Sequence, residues 1–187
     1  MRIPVQDTAR IKYDIVGDHL ANYDFMINLA HFKGHQMGGF GGVLKNASIG
    51  VASSSGKAYI HSAGITTDVK KMWRHIDDQD GFLESMAAAA QGVHNYFGGG
   101  ERILYINVMN NMSIDCDCNA HPAAPELKDM GILASTDPVA LDQACLDLVF
   151  NHENKPGDTA KPLTARIQKM HGTHTVDHAE KIGLGTK

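Results

Sequence analysis

Residues 102–109 read RILYINVM, and this stretch carries the clearest strand signal in the chain. Leu104, Ile106 and Val108 alternate with the other side chains, so they share one face of an extended segment. Residues 24–30 (DFMINLA) form a nearly continuous apolar run, which is typical of a buried strand. These two segments predict the centre of a sheet.

Further segments extend this pattern in both directions. Residues 131–135 predict a short strand, and the alternating residues 10–16 predict a strand at a sheet edge. Residues 82–97 carry apolar side chains at helical spacing. Asp137 and Pro138 mark another helix start, because aspartate caps free N–H groups and proline fits the first turn. Strands that alternate with helices predict an α/β fold with three layers, a largely parallel sheet with flanking helices.

The composition limits the class of protein. The 187 residues suit a single domain that spans the whole chain. The 17 basic and 21 acidic side chains, with no run of lysine or arginine, argue against nucleic-acid binding and against an anionic membrane surface. No apolar stretch has the length of a membrane span. Three cysteines, two of them separated by one residue, do not suit a disulfide scaffold, so we expect a cytoplasmic protein.

The first group of candidate site residues lies in a glycine-rich segment, residues 31–61: HFKGHQMGGFGGVLKNASIGVASSSGKAYIH. Its glycines permit positive φ angles and a close approach of the backbone. Residues 43–49 could open a helix whose free N–H groups face an anion. The candidates for binding a cofactor or a phosphate are Lys33, Gly38, Gly39, Gly41, Gly42 and Lys45. The segment lacks the spacing of a Walker A motif, and the alternative is a crowded turn between packed elements.

Three groups that transfer protons or bind metals bracket this turn. His35 and Lys45 are the candidate catalytic residues, and His61 is a candidate metal ligand.

Residues 115–121 read DCDCNAH and form the second group. In an extended segment Cys116 and Cys118 point to the same side, so both thiolates can face one ligand. Thiolates bind zinc or iron strongly, but a closed zinc site takes four ligands. The remaining donors would come from a second chain or from His31, His35 or His121. The alternatives are two thiols without a ligand, or a redox-active pair.

The other cysteine and the C-terminal histidines have simpler interpretations. Cys145 lies on the apolar stripe of the helix that follows Asp137, so we expect it in the core. His171, His174 and His178 are expected to form a solvated face, although the last two are one helical turn apart and could chelate.

The predicted strand order brings the candidate groups together. Ligands bind beyond the carboxyl ends of the strands in open parallel sheets. The strand that ends near Ala30 runs into the glycine-rich segment, and the strand that ends near Met109 runs into the DCDC loop. A third strand ends at Ser135, just before Thr136 and Asp137. We therefore expect these three loops to meet at one edge of the sheet.

Several of these segments together resemble the domain of unknown function 362 family. The resemblance rests on HFKGHQMGGFGGVLKN, SSSGKAYIHS and SIDCDCNAHPAAPELKDMGILASTDPVALDQACLDLV, and it extends to HAEKIGLG near the C-terminus. Members are often described as iron–sulfur-centre proteins, and many carry a ferredoxin-like four-cysteine motif. Residues 65–91, where that motif would fall, contain no cysteine, so we expect no ferredoxin-type four-iron cluster in this chain. Asn119 stands where members often have another cysteine, and the N-terminal part of the family is expected to be shortened here.

The glycine-rich segment also resembles that of nickel-dependent lactate racemase. His35 lies ten residues before Lys45, and His61 lies sixteen residues after it. The resemblance implies that Lys45 tethers a cofactor or contacts its phosphate, that His61 binds the metal and that His35 moves protons. Val43 and Leu44 depart from that pattern.

Three hypotheses follow from these features. The first is a metal- or cofactor-dependent enzyme that uses iron, zinc or nickel and joins the glycine-rich segment to the DCDC loop. The second is a non-catalytic module that partners an iron–sulfur redox protein. The third is a domain that binds a phosphate-bearing small molecule or nucleotide without metal.

Overall fold

The structure, a computed structural model, describes all 187 residues. Seven strands follow one another along the chain: β1 (Arg2–Ile3), β2 (Asp14–Ile15), β3 (Met26–His31), β4 (Lys33–His35), β5 (Gly39–Gly41), β6 (Ile103–Met109) and β7 (Gly131–Ser135). The α-helices are α1 (Val43–Lys45), α2 (Ser54–His61), α3 (Gln79–Tyr96), α4 (Pro138–Phe150), α5 (Lys161–Lys169) and α6 (His174–Lys181). A π-helical turn, Asn46–Gly50, continues directly from α1. Short 3-10 helices cover Asp18–Asn22 and Met72–Arg74.

The largest sheet has three strands in the order β3-β6-β7. β3 and β6 are parallel, with Leu29 beside Ile106, whereas β6 and β7 are antiparallel, with Ile106 beside Ala134. The predicted α/β content is confirmed, but the sheet is mixed and small, and the two remaining sheets are antiparallel pairs. A hydrophobic pattern determines which face of a strand is buried, and it carries no information about strand direction.

Helices cover one face of this sheet. Asn28 of β3 and Asn107 of β6 are buried on that face, where α1 and α4 pack. On the opposite face Ile27 is 62% exposed and Ile132 is 70% exposed. The expected third layer is therefore missing from the fold, and the apolar run at residues 24–30 is buried on one face only.

The predicted helices at residues 82–97 and after Asp137 are confirmed. The carboxylate of Asp137 caps α4 by accepting hydrogen bonds from the N–H groups of Val139 and Ala140, at 2.8 and 3.0 Å. α3 is buried along most of its length and contributes to both apolar clusters of the core. Cys145 is fully buried in the larger cluster, as predicted.

The segment at residues 10–16 differs from the prediction. Only Asp14–Ile15 forms a strand, and its partner is Arg2–Ile3 at the N-terminus. Val16 adds an isolated antiparallel bridge to Ala52, and residues 10–13 have no strand pairing, so alternation alone overestimated the strand.

The glycine-rich segment begins as a hairpin. β4 pairs with β5, and Gly39 turns the chain at a φ of 77°. The N–H group of Gly34 donates a 2.8 Å hydrogen bond to the carbonyl of Ser113, so the loop after β6 lies directly against the hairpin. A Cβ atom at Gly34 would overlap with the carbonyl group of Ile114. This glycine is what allows the two candidate segments to meet.

In this structure none of the helices combines the length and the apolar character needed to cross a membrane.

Candidate functional site

The carboxyl ends of β3 and β6 meet, as their parallel pairing requires. His31, the last residue of β3, contacts the loop after β6 through Nε2, which lies 2.6 Å from the carbonyl oxygen of Asn110. Its Nδ1 lies 3.0 Å from the carboxylate of Asp117 in the same loop. Two of the three expected loops are therefore together. The third is not, because β7 is antiparallel, and the segment from Ser135 to Asp137 lies at the opposite end of the sheet.

α1 is anchored by a buried carboxylate from α4. Asp142 accepts hydrogen bonds from the N–H groups of Val43 and Leu44 at 2.9 and 3.0 Å, and from the side-chain amide of Asn107 at 2.7 Å. Burial raises the pKa of Asp142 to about 6, while these donors favour its charged form. The N–H groups that we expected to face a bound anion are thus already occupied by an anion of the protein itself. An external anion would have to be held by side chains.

A basic pocket of about 410 Å³ opens beside this turn. Lys33, Lys45 and Lys57 line it, together with a single carboxylate, that of Asp117. Lys33 is 3.4 Å from that carboxylate. Burial and the neighbouring charge of Lys33 lower the pKa of Lys45, while Cys116 and the residues around it act in the opposite direction. Three ammonium groups against one carboxylate give this pocket an excess of positive charge.

A second pocket, of about 310 Å³, contains the thiols. Cys116, Cys118, His35 and His61 are among the residues that line it. One donor atom from each of Cys116, Cys118 and His35 lies within 4.8 Å of the others, so these three side chains could hold a metal ion. Cys116 is buried and Cys118 is exposed. A hydrogen bond with Cys116, followed by burial, raises the pKa of Cys118, while the charge of Lys45 lowers it.

The backbone sets opposite tautomers for the two histidines. Nδ1 of His35 accepts the N–H groups of Gly38 and Met37, at 2.9 and 3.2 Å, so its ring proton belongs on Nε2. Nδ1 of His61 lies 2.7 Å from the carbonyl of Lys57 and donates to it, which leaves the lone pair on Nε2. Burial lowers the pKa of His35 to about 3 and also lowers that of His61. Both rings are therefore neutral near pH 7, one as a donor and the other as an acceptor or ligand.

With the geometry in place, comparison with protein families gives one result. The model of the family described as Domain of unknown function (DUF362) matches residues 1–147. The chain belongs to the DUF362 family. No curated protein and no solved structure matches it.

The DUF362 match includes both pockets and ends within α4, so α5 and α6 lie beyond it. α5 nevertheless contributes to the site. Arg166 donates a hydrogen bond to the carbonyl of Ile114 at 3.2 Å and lies 3.6 Å from Asp115. This arginine thus holds the beginning of the DCDC loop.

Some candidate residues of this DUF362 chain lie outside the cluster. Both ring nitrogens of His31 face oxygen atoms, which leaves no nitrogen for a metal while those contacts persist. His121 is exposed and does not line the thiol pocket. Gly41 and Gly42 line the basic pocket, whereas Gly38 supports the His35 ring and Gly39 packs against Gly172.

Three residues that build the site were not predicted as site residues from the sequence. Lys57 follows a serine-rich stretch with no helix pattern, yet α2 carries it into the basic pocket. Asp117 was visible only as part of the DCDC motif, and its carboxylate lies 3.0 Å from Nδ1 of His31 and 3.4 Å from Nζ of Lys33. Asp142 lies among the buried apolar residues of α4. A charged residue in such a position indicates a buried function, but the pattern alone does not say which one.

Proposed function

We propose that this chain is a metal-dependent enzyme that acts on a small anionic ligand. The carrying observation is the placement of two thiols and two neutral imidazoles of opposite tautomer in one pocket, next to a pocket lined by three lysines. Lys45 connects the halves, because its charge acts on both thiols and on both histidines. Such a site binds an anion with one half and places reactive groups at the other.

The basic half suits a phosphate or carboxylate group. Its volume of about 410 Å³ is that of a small-molecule site. Since the helix N–H groups are occupied by Asp142, the ammonium groups of Lys33, Lys45 and Lys57 are the anion-binding elements of the proposal.

The thiol half suits a transition metal. Thiolates prefer zinc, iron or nickel over magnesium or calcium. Cys116 and Cys118 are the anchoring ligands in this proposal. Cys145 is buried in the core against Asn107, so two thiols remain at the site, too few for a four-iron cluster, which takes four cysteines.

The tautomers support separate roles for the two imidazoles. His61 has a free lone pair on Nε2 and a backbone acceptor on Nδ1, the arrangement of a metal-ligating histidine. His35 is closer to the thiols, but a metal could bind it only after the contact with Gly38 or the Nε2 proton is lost. We therefore assign the third ligand to His61 and proton donation to His35. The backbone hydrogen bonds determine which nitrogen of each ring carries the proton, and we give this more weight than the shorter distance from His35 to the thiols.

Titration of the full chain with Co²⁺ tests this proposal. We expect absorption bands from thiolate-to-cobalt charge transfer, lost in Cys116→Ser and in Cys118→Ser, because the thiolates are the anchors. His61→Ala should weaken binding at least about tenfold, whereas His35→Ala should retain most of the affinity. Cys145→Ala is the matched control, since it removes a core thiol and should leave the bands unchanged.

Two results would contradict the proposal. Absence of thiolate bands in the anaerobically prepared wild type would remove the metal and leave anion binding in the basic pocket as the remaining function. Loss of binding in His35→Ala with retention in His61→Ala would reverse the roles of the two histidines.

A further inference from the structure

A second group of metal-binding side chains lies between α3 and α6, away from both pockets. Glu84 of α3 faces His174 and His178, which are one turn apart on α6. Oε1 of Glu84 is 3.3 Å from Nε2 of His174 and 3.8 Å from Nδ1 of His178. The three donor atoms lie within 4.8 Å of one another. The sequence pattern had suggested a solvated histidine face, but His178 is buried.

These distances fit one tetrahedral ion. Two zinc–ligand bonds of about 2.0–2.1 Å at the tetrahedral angle separate their ligand atoms by about 3.4 Å. The two observed separations from Glu84, 3.3 and 3.8 Å, bracket that value. Binding would bring the His178 ring closer to Glu84 and set the two imidazole nitrogens, which lie within 4.8 Å of each other, at the same separation.

The outer contacts orient two of the three ligands. Nε2 of His178 donates to the carboxylate of Asp7 at 2.8 Å, so its Nδ1 lone pair points toward Glu84. Oε2 of Glu84 accepts from Nε of Arg10 at 2.7 Å, which leaves Oε1 free for the histidines. A histidine held by a carboxylate through its second nitrogen is the usual arrangement behind a metal ligand.

The charges of the surroundings favour a cation. Two cationic side chains lie in or near the network: Arg10, which also contacts Asp78 at 3.0 Å, and Lys181, whose charge acts on Asp7. Asp7 and Glu84 add two further carboxylates beside the histidines. The three carboxylates thus outnumber the two cationic side chains, so the surroundings of the imidazoles attract a cation.

We propose that Glu84, His174 and His178 form a Zn²⁺ site, with the fourth position open to water. The side chains of His174 and Glu84 are 35% and 19% exposed, so the ion would reach the site from solvent. Because Asp7 supports the site from the N-terminal segment, the ion would tie three separate parts of the chain together. The site is independent of the proposed enzymatic site, and the family match ends before both histidines.

The test uses the full chain in which Cys116 and Cys118 are replaced by serine, so that thiols do not compete for metal. Calorimetric titration with Zn²⁺ should show one bound ion per chain and a raised melting temperature. Co²⁺ bound to this chain should lack the thiolate charge-transfer bands, because its ligands are nitrogen and oxygen. Both His174→Ala and Glu84→Gln should weaken Zn²⁺ binding at least about tenfold, and Asp7→Asn should weaken it by about 10–100-fold.

His171→Ala is the matched control. His171 is exposed, precedes the same helix and bonds to Asp80 instead, so its removal should leave Zn²⁺ affinity unchanged. His174 is partly exposed, which makes its substitution the least disturbing to the fold. Failure of the double-serine chain to bind Zn²⁺ would overturn the proposal, and so would unchanged affinity in both His174→Ala and Glu84→Gln. In that case the group is an ion-pair network only.

Discussion

Two buried carboxylates, Asp14 and Asp142, differ in what surrounds them. Asp142 accepts three hydrogen bonds and anchors the turn beside the basic pocket. Asp14 accepts one hydrogen bond, from the N–H group of Ile15, and its Oδ2 atom has no partner. Burial raises the pKa of Asp14 to about 7 from its usual 3.8. One hydrogen bond does not offset the loss of hydration, so this carboxyl is the neutral acid over most of the acidic pH range.

This difference predicts a pH-dependent stability that Asp14→Asn removes. The folded pKa is raised, so the folded chain binds more protons than the unfolded chain between pH 3.8 and about 7. The contribution of Asp14 is therefore fully present below pH 3.8, falls as pH rises toward 7 and is flat above it. Urea unfolding measures the free energy of unfolding of wild type and of Asp14→Asn at each pH. The wild-type value relative to the variant should fall by up to about 1.4 kcal/mol per pH unit as pH rises from 5 to 7. The exposed Asp24→Asn is the control, and an equal slope in that variant would contradict this account.

At the scale of elements, the contact between the hairpin and the DCDC loop determines the site. Gly34 donates to Ser113, and its missing side chain leaves room for the carbonyl of Ile114. The position of both cysteines therefore depends on this glycine in β4, together with the contacts of Arg166 to Ile114 and Asp115.

Gly34→Ala should consequently displace the DCDC loop. We expect a loss of about 1–3 kcal/mol in the free energy of unfolding, as in other overpacked sites, and a weaker thiolate–cobalt spectrum in the folded fraction. Gly17→Ala is the control, because no atom lies within 4 Å of a Cβ placed there and its φ is −65°. Urea unfolding and Co²⁺ absorption measure the two effects. A wild-type cobalt spectrum in Gly34→Ala would show that the loop does not depend on this contact.

The sequence predicted some elements well because their signals are local. The cap formed by Asp137 and the apolar spacing of residues 82–97 depend on neighbours within one or two helical turns. The β4–β5 hairpin and α2 were missed, since glycine and serine carry little propensity for either structure. The direction of β7 and the burial of His178 depend on partners far away in the chain, which no local pattern contains. For the same reason the meeting of His35 with Cys116 was predictable only through the parallel pairing of β3 with β6.

At the scale of the whole molecule, the sheet separates a covered face from an open one. Ile103 of β6 is 1% exposed on the covered face, whereas Ile27 of β3 is 62% exposed on the other. The two isoleucines occupy adjacent positions of the ladder, since Met26 pairs with Ile103 and Ile27 pairs with Leu104. They have the same side chain in the same sheet and differ in what lies over them.

This contrast provides a direct test of the two-layer arrangement. Threonine keeps the preference of isoleucine for strands, so Ile27→Thr should change the free energy of unfolding by no more than about 0.5 kcal/mol. Ile103→Thr should cost more than about 2 kcal/mol, because it opens a cavity and buries a hydroxyl group. Urea unfolding at two protein concentrations measures both variants and would reveal any contribution from self-association. If Ile27→Thr lowered the free energy of unfolding as much as Ile103→Thr, the face around Ile27 would have to be covered in the folded protein. The two-layer description of the fold would then be wrong.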